Sequence, residues 1–186
     1  MSDTPAEIEA LKVAIQGRWS EPPGSKAQPY VGAFFDRVRI EKKITAKVMG
    51  NHGTYTVSIE AREGQALAAC SCYIGKSGYC HHCAALAATF LHDPACFKET
   101  KLKKREELRD PADVPSYLQG ASLEALLKQL SENGITQKAF AEIIGMNPRH
   151  LSALKSSEAR HHIFNELGAT KLACLWVLEH LADIRK

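Results

Sequence analysis

The fold of the first half of the chain is decided by one stretch, Cys70-Ser71-Cys72-Tyr73-Ile74-Gly75-Lys76-Ser77-Gly78-Tyr79-Cys80-His81-His82-Cys83. Structural zinc sites take thiolate sulfur and imidazole nitrogen in a closed tetrahedron, which requires two close pairs of ligands brought together by a turn. Cys70 and Cys72 form the first pair. Cys80 forms the second pair with either His82 or Cys83. The stretch therefore predicts a metal site, with glycines in the loop that let the chain fold back.

The residues on either side of the cluster predict a β-hairpin, a strand and a helix. Residues 44–48 and 55–59 each alternate between apolar and polar side chains, and the turn sequence Gly50-Asn51-His52-Gly53 lies between them. A short strand over 66–70 leads into the cysteines. The sequence after Cys80 favours a helix that Pro94 ends. This order predicts a small ββα unit.

The spacing of the cluster resembles the SWIM zinc finger. The resemblance is carried by Cys-x-Cys, seven residues and Cys-x-His, with Val48-x-Gly50 and Tyr55-x-Val57-x-Ile59 before it and Ala84-Ala85-Leu86 after it. It covers residues 38–92 and implies a Zn²⁺ ion as cofactor, held by Cys70, Cys72, Cys80 and His82. The sequence departs from the pattern in its doubled histidine and its extra cysteine. Cys83 remains an alternative fourth ligand, because a site of four cysteines also suits zinc.

We expect the cluster to be structural and the protein not to be an enzyme. A catalytic zinc needs an open coordination position and usually a carboxylate beside it. No Asp or Glu lies between Glu63 and Asp93. A nucleophilic Cys83 would need a third group to orient its histidine partner, and no such group is evident. The sequence therefore offers no catalytic residue.

Composition places the chain among globular cytoplasmic proteins. Of its 186 residues, 45% are hydrophobic and 24% are charged, and 24 basic against 21 acidic residues give a net charge of +3. We expect neither a signal peptide nor a membrane span. Six cysteines in a reducing compartment favour a metal site over disulfides. Cys96 and Cys174 lie away from the cluster, and we expect them to be small buried apolar residues.

The chain is predicted to form two domains of an α+β protein. The first, residues 1–98, contains the finger and an N-terminal helix that Thr4 caps, with Pro5 at its first position. Residues 99–115 (ETKLKKREELRDPADVP) are charged and contain two prolines, which predicts a linker. Residues 116–186 show only helical patterns. The second domain is therefore expected to be all-α.

The second domain resembles the helix-turn-helix of phage repressors. Ser122, Thr136 and Asn147 are each in position to cap a helix, and Pro148 follows the last cap. The spacing includes a small Ala141, Gly145 where a positive φ is wanted, and an apolar Leu151. The resemblance spans 121–183 and implies a preceding helix over 123–130 and later helices over 160–166 and 169–183. An ordinary helical bundle with a glycine-containing turn is the alternative.

If this domain binds double-stranded DNA, the helix that begins at Asn147 would lie in the major groove. Arg149 would pair with guanine and Asn147 with adenine, and Gln137, Lys138 and Lys155 would contact phosphates. The residues expected at the DNA interface are Gln137, Lys138, Asn147, Arg149, Ser152, Ala153, Lys155 and Ser156. The last helix is apolar on two sides, with Leu172, Leu175 and Trp176 on one and Val177, Leu181 and Ile184 on the other. Such a helix is either sandwiched within its own domain or shared with a partner, and we expect a homodimer.

The leading hypothesis is a transcriptional regulator of bacterial or phage type that binds DNA through residues 147–156. Its zinc finger would contact DNA or a protein partner. The alternative is a non-enzymatic adaptor for protein–protein interaction, in which the helical domain is only a scaffold. The basic residues of the linker do not separate the two, because acidic residues balance them.

Overall fold

The protein is described by a computed structural model that covers residues 6–162 and 166–181. The chain divides into two compact units, residues 1–101 and 102–186. The first contains a β-sheet and the second is helical, so the α+β class is confirmed. Within the ranges described, no helix is both long enough and apolar enough to cross a membrane.

The first unit is built on a five-stranded sheet in the order β4-β3-β2-β1-β5. The strands are β1 (Phe35–Ile40), β2 (Lys43–Gly50), β3 (Gly53–Arg62), β4 (Gln65–Cys70) and β5 (Lys98–Glu99). The predicted hairpin is confirmed as β2 and β3, in which Ala46 is paired with Val57. Val57 is paired in turn with Cys70 of β4. Because directly opposed residues share one face of a sheet, Cys70 lies on the buried face.

Two strands of the sheet were not predicted, and both lie on the far side of β2. β1 pairs with β2 in antiparallel orientation, and β5 pairs with β1 in parallel orientation. Arg39 of β1 is buried, and its guanidinium forms a 2.8 Å ion pair with Glu99 of β5. The ββα prediction therefore covered only part of a larger sheet.

Two helices pack on the buried face of this sheet. These are α1 (Ala6–Arg18) and α2 (His81–His92). The apolar core of the unit includes Leu11 and Ile15 from α1, Phe90 from α2, and Ile44 and Ile59 from the sheet, all of them inaccessible to solvent. The predicted cap of α1 at Thr4 and Pro5 lies outside the described residues.

The second unit contains α3 (Val114–Gln119), α4 (Leu123–Glu132), α5 (Gln137–Ile143), α6 (Pro148–Ala159) and α7 (Glu166–Glu179). Its core is made of buried side chains from α4, α5, α6 and α7, among them Leu123, Leu126, Leu130, Phe140, Ala141, Leu151, Leu154, Cys174 and Val177. Leu181 packs against this core, whereas Ile184 lies outside the described residues.

The helix starts in this unit follow the predicted caps. Ser122 accepts a hydrogen bond from the N–H of Ala125, Thr136 from that of Ala139, and Asn147 from that of Arg149. Gly145 lies in the turn between α5 and α6 with a φ of 68°, a conformation that side chains with a Cβ rarely adopt. The turn between α5 and α6 therefore has a glycine where the backbone is left-handed and a capping asparagine where α6 begins.

The prediction for the later helices needs correction. α6 extends to Ala159, and residues 160–162 are not helical, so no helix begins at residue 160. The reason is local, because His161 takes a φ of 58° that a right-handed helix does not tolerate. Residues 166–168, before the predicted start at 169, already belong to α7, whereas residues 163–165, 182 and 183 are not described.

Within the charged segment 99–115, short 3₁₀ turns span Arg105–Glu107 and Pro111–Asp113. Asp113 accepts hydrogen bonds from the backbone N–H groups of Arg109 and Asp110 and forms a 2.8 Å ion pair with Lys103. The hydrogen bond from Lys103 makes the largest contribution to lowering the pKa of Asp113, and the two backbone hydrogen bonds lower it further. This segment therefore has an ordered hydrogen-bonding pattern of its own.

Candidate metal centre

The structure brings four potential ligands together at one buried point of the first unit. The ligand atoms of Cys70, Cys72, Cys80 and His82 all lie within 4.8 Å of one another, and all four residues are buried. The Sγ atom of Cys70 lies 3.7 Å from the Nδ1 atom of His82. Three of the four residues are cysteines, so the group is a buried Cys₃His cluster that could hold a metal ion.

The distance between the ligand atoms of Cys70 and His82 suits a tetrahedral metal site. For tetrahedral zinc, metal–sulfur bonds of about 2.3 Å and metal–nitrogen bonds of about 2.0 Å place neighbouring ligand atoms roughly 3.5 to 3.8 Å apart. The Cys70 to His82 distance falls in that range. The donor set is also one that zinc prefers, so the residues fit the ion.

The first ligand pair is positioned by the end of β4. Cys70 is the last residue of that strand, and the backbone N–H of Cys72 donates to its sulfur at 3.4 Å. An N–H directed at sulfur stabilises a thiolate, the form in which cysteine binds metals. The local backbone therefore turns towards the sulfur and supports its negative charge.

Gly75 allows the loop to pass close to this pair. A Cβ at residue 75 would lie 2.5 Å from the Cβ of Cys70 and 2.7 Å from the Sγ of Cys72, closer than real Cβ atoms approach. The short 3₁₀ turn Gly75–Ser77 follows, so the loop reverses its direction directly over the sulfurs. Gly75 was predicted to let the loop fold back, and the reason is that Cys70 and Cys72 leave no room for a side chain at this position.

The second pair lies at the start of α2. Cys80 is the N-cap residue of the helix, and His82 is in its first turn. Helix N-termini favour negative charge, which suits a thiolate at Cys80. Cys83 also lies in the first turn, with its Sγ atom 3.6 Å from that of Cys80, but it does not belong to the group of four. Cys83 is therefore placed beside a ligand.

Crowding of the sulfurs shifts their pKa values in opposite directions. Hydrogen bonding to Cys80 raises the pKa of Cys70 and of Cys83, and burial adds to both effects. Hydrogen bonds from Cys70 and Cys83 lower the pKa of Cys80. Burial raises the pKa of Cys72. Hydrogen bonding among the sulfurs therefore favours the thiolate at Cys80 and opposes it at Cys70 and Cys83.

His82 is held in a pocket of aromatic rings. Its ring centroid lies 4.7 Å from that of Tyr30 and 5.0 Å from that of Tyr55. Burial lowers the pKa of His82, and the nearby His81 lowers it further, so the imidazole is neutral and able to bind a metal. Its Nε2 atom is buried without a hydrogen-bond partner. A metal bound at Nδ1 would leave the proton of the neutral ring on Nε2.

Tyr55 can take this position because residue 50 is a glycine. A Cβ at Gly50 would lie 2.3 Å from the ring of Tyr55 and 3.4 Å from Nε2 of His82. The glycine and tyrosine of the predicted hairpin motif therefore act together, and they enclose the side of the imidazole away from Cys70. Tyr30, the second ring against His82, gave no signal in the sequence, because it comes from a loop before β1.

Arg18 has a structural role that no sequence pattern predicted. At the end of α1, its guanidinium donates hydrogen bonds to the carbonyl oxygens of Ala66, Ser77 and Gly78 at 2.8 to 3.3 Å. The last two residues lie in the loop between the two ligand pairs. α1 therefore fastens the loop of the metal centre to the sheet, a contact over about sixty residues that no local pattern reveals.

The residues proposed for DNA contact all come from α5, α6 and the turn between them. Lys138, Asn147, Arg149, Ser152 and Ala153 are exposed, and Gln137, Lys155 and Ser156 are partly exposed. Leu151 and Leu154, on the opposite side of α6, are inaccessible to solvent. Four of the polar residues have partners. Gln137 donates to the hydroxyl of Ser152 at 2.8 Å, and that hydroxyl donates to the carbonyl oxygen of Pro148. The carboxamide oxygen of Asn147 caps α6, and Lys138 lies 4.0 Å from the carboxylate of Glu142.

Glu158 is an acidic residue in the last turn of α6, beyond the residues proposed for DNA contact. In the structure, its carboxylate accepts a 2.6 Å hydrogen bond from the backbone N–H of Leu123, the first residue of α4. It also forms an ion pair with Lys171 of α7, whose side chain is 8% exposed. Glu158 therefore connects three helices.

The chain matches no protein-family model, no curated protein and no solved structure. The buried Cys₃His cluster is compatible with a zinc finger. The resemblances to a SWIM finger and to a phage-repressor helix-turn-helix remain hypotheses, supported by residue spacing and by the contacts given above.

Proposed function

We propose that the protein is a non-enzymatic, zinc-containing DNA-binding protein, a transcriptional regulator of bacterial or phage type. α6 would enter the major groove, and the Cys₃His cluster would hold a structural zinc ion. The observation that carries the DNA-binding part is the division of α6 into two sides. Leu151 and Leu154 anchor one side in the core, and Arg149, Ser152 and Ala153 are exposed on the other.

The proposed zinc ion would be bound by Cys70, Cys72, Cys80 and Nδ1 of His82. A closed set of three thiolates and one imidazole is typical of structural zinc, and binding of this kind can contribute on the order of 10 kcal/mol to folding. Zinc would supply one cross-link between the end of β4 and the start of α2. Cys83 would remain a neighbour of Cys80 without binding the ion.

Arg149 is the residue to which we assign base recognition. It is exposed in the first turn of α6, and a guanidinium can donate two hydrogen bonds to O6 and N7 of guanine. Asn147 is less suited to base recognition. Pairing with adenine would use its carboxamide oxygen, which already accepts the hydrogen bond from the N–H of Arg149. The same side chain can instead keep the cap and donate through Nδ2 to a phosphate. We therefore expect guanine recognition to dominate.

The remaining polar residues would set the position of α6 on the duplex. Gln137 and Ser152 join the start of α5 to the middle of α6, which holds the two helices in one arrangement. Lys138 and Lys155 would contact phosphates, and Ser156 and Ala153 would lie against the groove. Since only a few cations surround α6, one copy should bind weakly and a homodimer on paired half-sites more tightly.

α7 provides the proposed dimer surface. Leu172 is 44% exposed and Trp176 57% exposed, one turn apart on the same helix, and the Trp176 ring stacks on His180 with centroids 4.4 Å apart. Sedimentation at micromolar concentration, with and without DNA, tests this surface. A dimer that Trp176→Ala converts to monomer is expected, and a wild-type monomer under both conditions contradicts it.

The same exposed apolar residues favour the second candidate, an adaptor that binds another protein. Ile143, at the end of α5, is 64% exposed and would add to such a surface. The two functions differ at Arg149, because an adaptor has no need of an exposed arginine on α6. The zinc finger could serve a protein partner in either case.

Selection of bound sequences from a random pool of duplex DNA separates the two functions. We expect the wild type to enrich one motif containing guanine and Arg149→Ala to lose the preference while it keeps its fold. Lys128→Ala is the matched control, because Lys128 is exposed on α4 and forms an exposed ion pair with Glu132 of the same helix. Failure of the wild type to bind duplex DNA at any salt concentration would favour the adaptor.

A further inference from the structure

An open cavity of about 460 Å³ lies beside the metal centre in the first unit. Its volume is in the range of sites that hold small organic ligands. One wall is the end of α1 and the loop after it, and the other is the end of the metal-centre loop and the start of α2. The residues along these walls include Arg18, Trp19, Ser25, Lys26, Tyr79 and His81.

The lining combines positive charge with aromatic rings. Arg18 and Lys26 are cationic, and the described residues that line the cavity include no carboxylate. The hydrogen bonds from Arg18 to Ala66, Ser77 and Gly78 go to backbone carbonyl oxygens, which leave its positive charge in place. A ligand with a negative charge and a flat apolar part would match both features.

Tyr79 is the ring best placed to receive such a flat group. Its side chain is 85% exposed, although it lies between the buried Gly78 and Cys80. The guanidinium of Arg18 lies 4.9 Å from the centroid of this ring and 4.9 Å from that of Trp19. The Arg18 guanidinium therefore contacts both Trp19 and Tyr79 at the mouth of the cavity, while most of the Tyr79 side chain stays open to solvent.

We propose that this cavity binds single-stranded nucleic acid, with one base stacked on Tyr79 and an adjacent phosphate at Lys26. Stacking on aromatic rings next to a cationic surface is the usual way in which proteins bind unpaired strands. A duplex does not offer its base faces for stacking, so this site differs in its ligand from the proposed surface on α6. An acidic peptide would use the cations but not the open ring.

The test uses the full-length, zinc-loaded protein and a twelve-nucleotide oligo-dT as the probe. In Trp176→Phe, Trp19 is the only tryptophan and it lines the cavity. We expect oligo-dT to quench its fluorescence in a saturable way. Anisotropy of labelled oligo-dT with the wild-type protein gives the same affinity by a second measurement.

Substitutions at the cavity locate the binding. Tyr79→Ala should weaken oligo-dT binding about tenfold, and Tyr79→Phe should retain it, because phenylalanine can still stack. The matched control is Tyr73→Ala, which removes a 96% exposed tyrosine of the same loop that does not line the cavity. Lys26→Ala should weaken binding and reduce the slope of log affinity against log salt by about 0.7.

Arg149→Ala separates this site from the proposed duplex-binding surface. It should leave oligo-dT binding unchanged, even if the proposal for α6 proves wrong. Absence of saturable oligo-dT binding, or equal loss with Tyr73→Ala and Tyr79→Ala, would overturn the assignment. Quenching of Trp19 fluorescence by a poly-glutamate peptide but not by oligo-dT would also overturn it, and would indicate that the cavity binds a protein partner.

Discussion

The Sγ atom of Cys70 lies 3.7 Å from the Nδ1 atom of His82, across a loop that leaves the sheet and returns as a helix. Cys70 ends β4 and His82 is in the first turn of α2, so a metal bound between them would join the two layers of the unit. The apolar core extends on both sides of this point. The proposed ion would therefore complete a fold that already has a core.

Substitution of His82 and Cys83 one at a time identifies the fourth ligand. His82→Ala should lose the bound metal, because it removes a member of the group of four, and Cys83→Ala should retain one metal per chain. His81→Ala is the control, because it changes the first turn of α2 in the same way without removing a candidate ligand. Metal analysis of each purified variant gives the answer, and retention by His82→Ala with loss by Cys83→Ala would assign the site to four cysteines.

Gly75→Ala should disrupt the metal centre without changing any ligand. The added Cβ would meet the Cβ of Cys70 and the Sγ of Cys72, and such overpacking costs about 1 to 3 kcal/mol. Gly24→Ala is the control, since a Cβ there meets nothing within 4 Å. Urea unfolding and competition with a zinc chelator measure both effects. Equal stability and equal metal affinity in the two variants would contradict the contact.

The ion pair of Glu158 and Lys171 should be important for the helical unit. Replacing Lys171 with Met leaves the carboxylate of Glu158 in a largely buried site without its partner, which typically costs about 3 to 5 kcal/mol. The double variant Glu158→Gln/Lys171→Met should recover much of this loss. Lys128→Met removes an exposed pair with Glu132 and should cost less than about 0.5 kcal/mol. Unfolding followed by circular dichroism distinguishes these cases.

Cysteine labelling should depend on position and on pH. Burial raises the pKa of Cys174 to about 12, so this thiol stays protonated at neutral and mildly alkaline pH and should react slowly with iodoacetamide. Its labelling should still be slow at about pH 9, because the thiolate is only a small fraction of the thiol at a pH well below the pKa. Cys96, which is partly exposed, should be labelled first. Mass spectrometry of the labelled peptides checks the order, which rapid labelling of Cys174 at pH 7 would contradict.

Local patterns in the sequence were sufficient for the elements that surround the cysteines. The alternation from Ile44 to Ile59 predicted β2 and β3, because a sheet with one buried face imposes a period of two. The close spacing of the ligands predicted their convergence. The caps at Ser122, Thr136 and Asn147 were predictable because each acts within three residues along the chain.

Contacts between distant residues could not be predicted in this way. β5 pairs in parallel with β1, about sixty residues earlier, and no local period signals such a pair. The same holds for Arg18, which binds the metal-centre loop, and for Tyr30, which packs on His82. The contacts of Glu158 are of the same kind, because its partners Leu123 and Lys171 come from two other helices.

The most direct test of the metal centre is titration of the metal-free chain with Co²⁺, followed by displacement with Zn²⁺. The residues predict one ion per chain, with the visible absorption typical of a tetrahedral site of three sulfurs and one nitrogen, and full displacement by one equivalent of Zn²⁺. His82→Ala should lose this spectrum and Cys83→Ala should keep it. Absence of a tetrahedral cobalt spectrum in the wild type would contradict the proposed site.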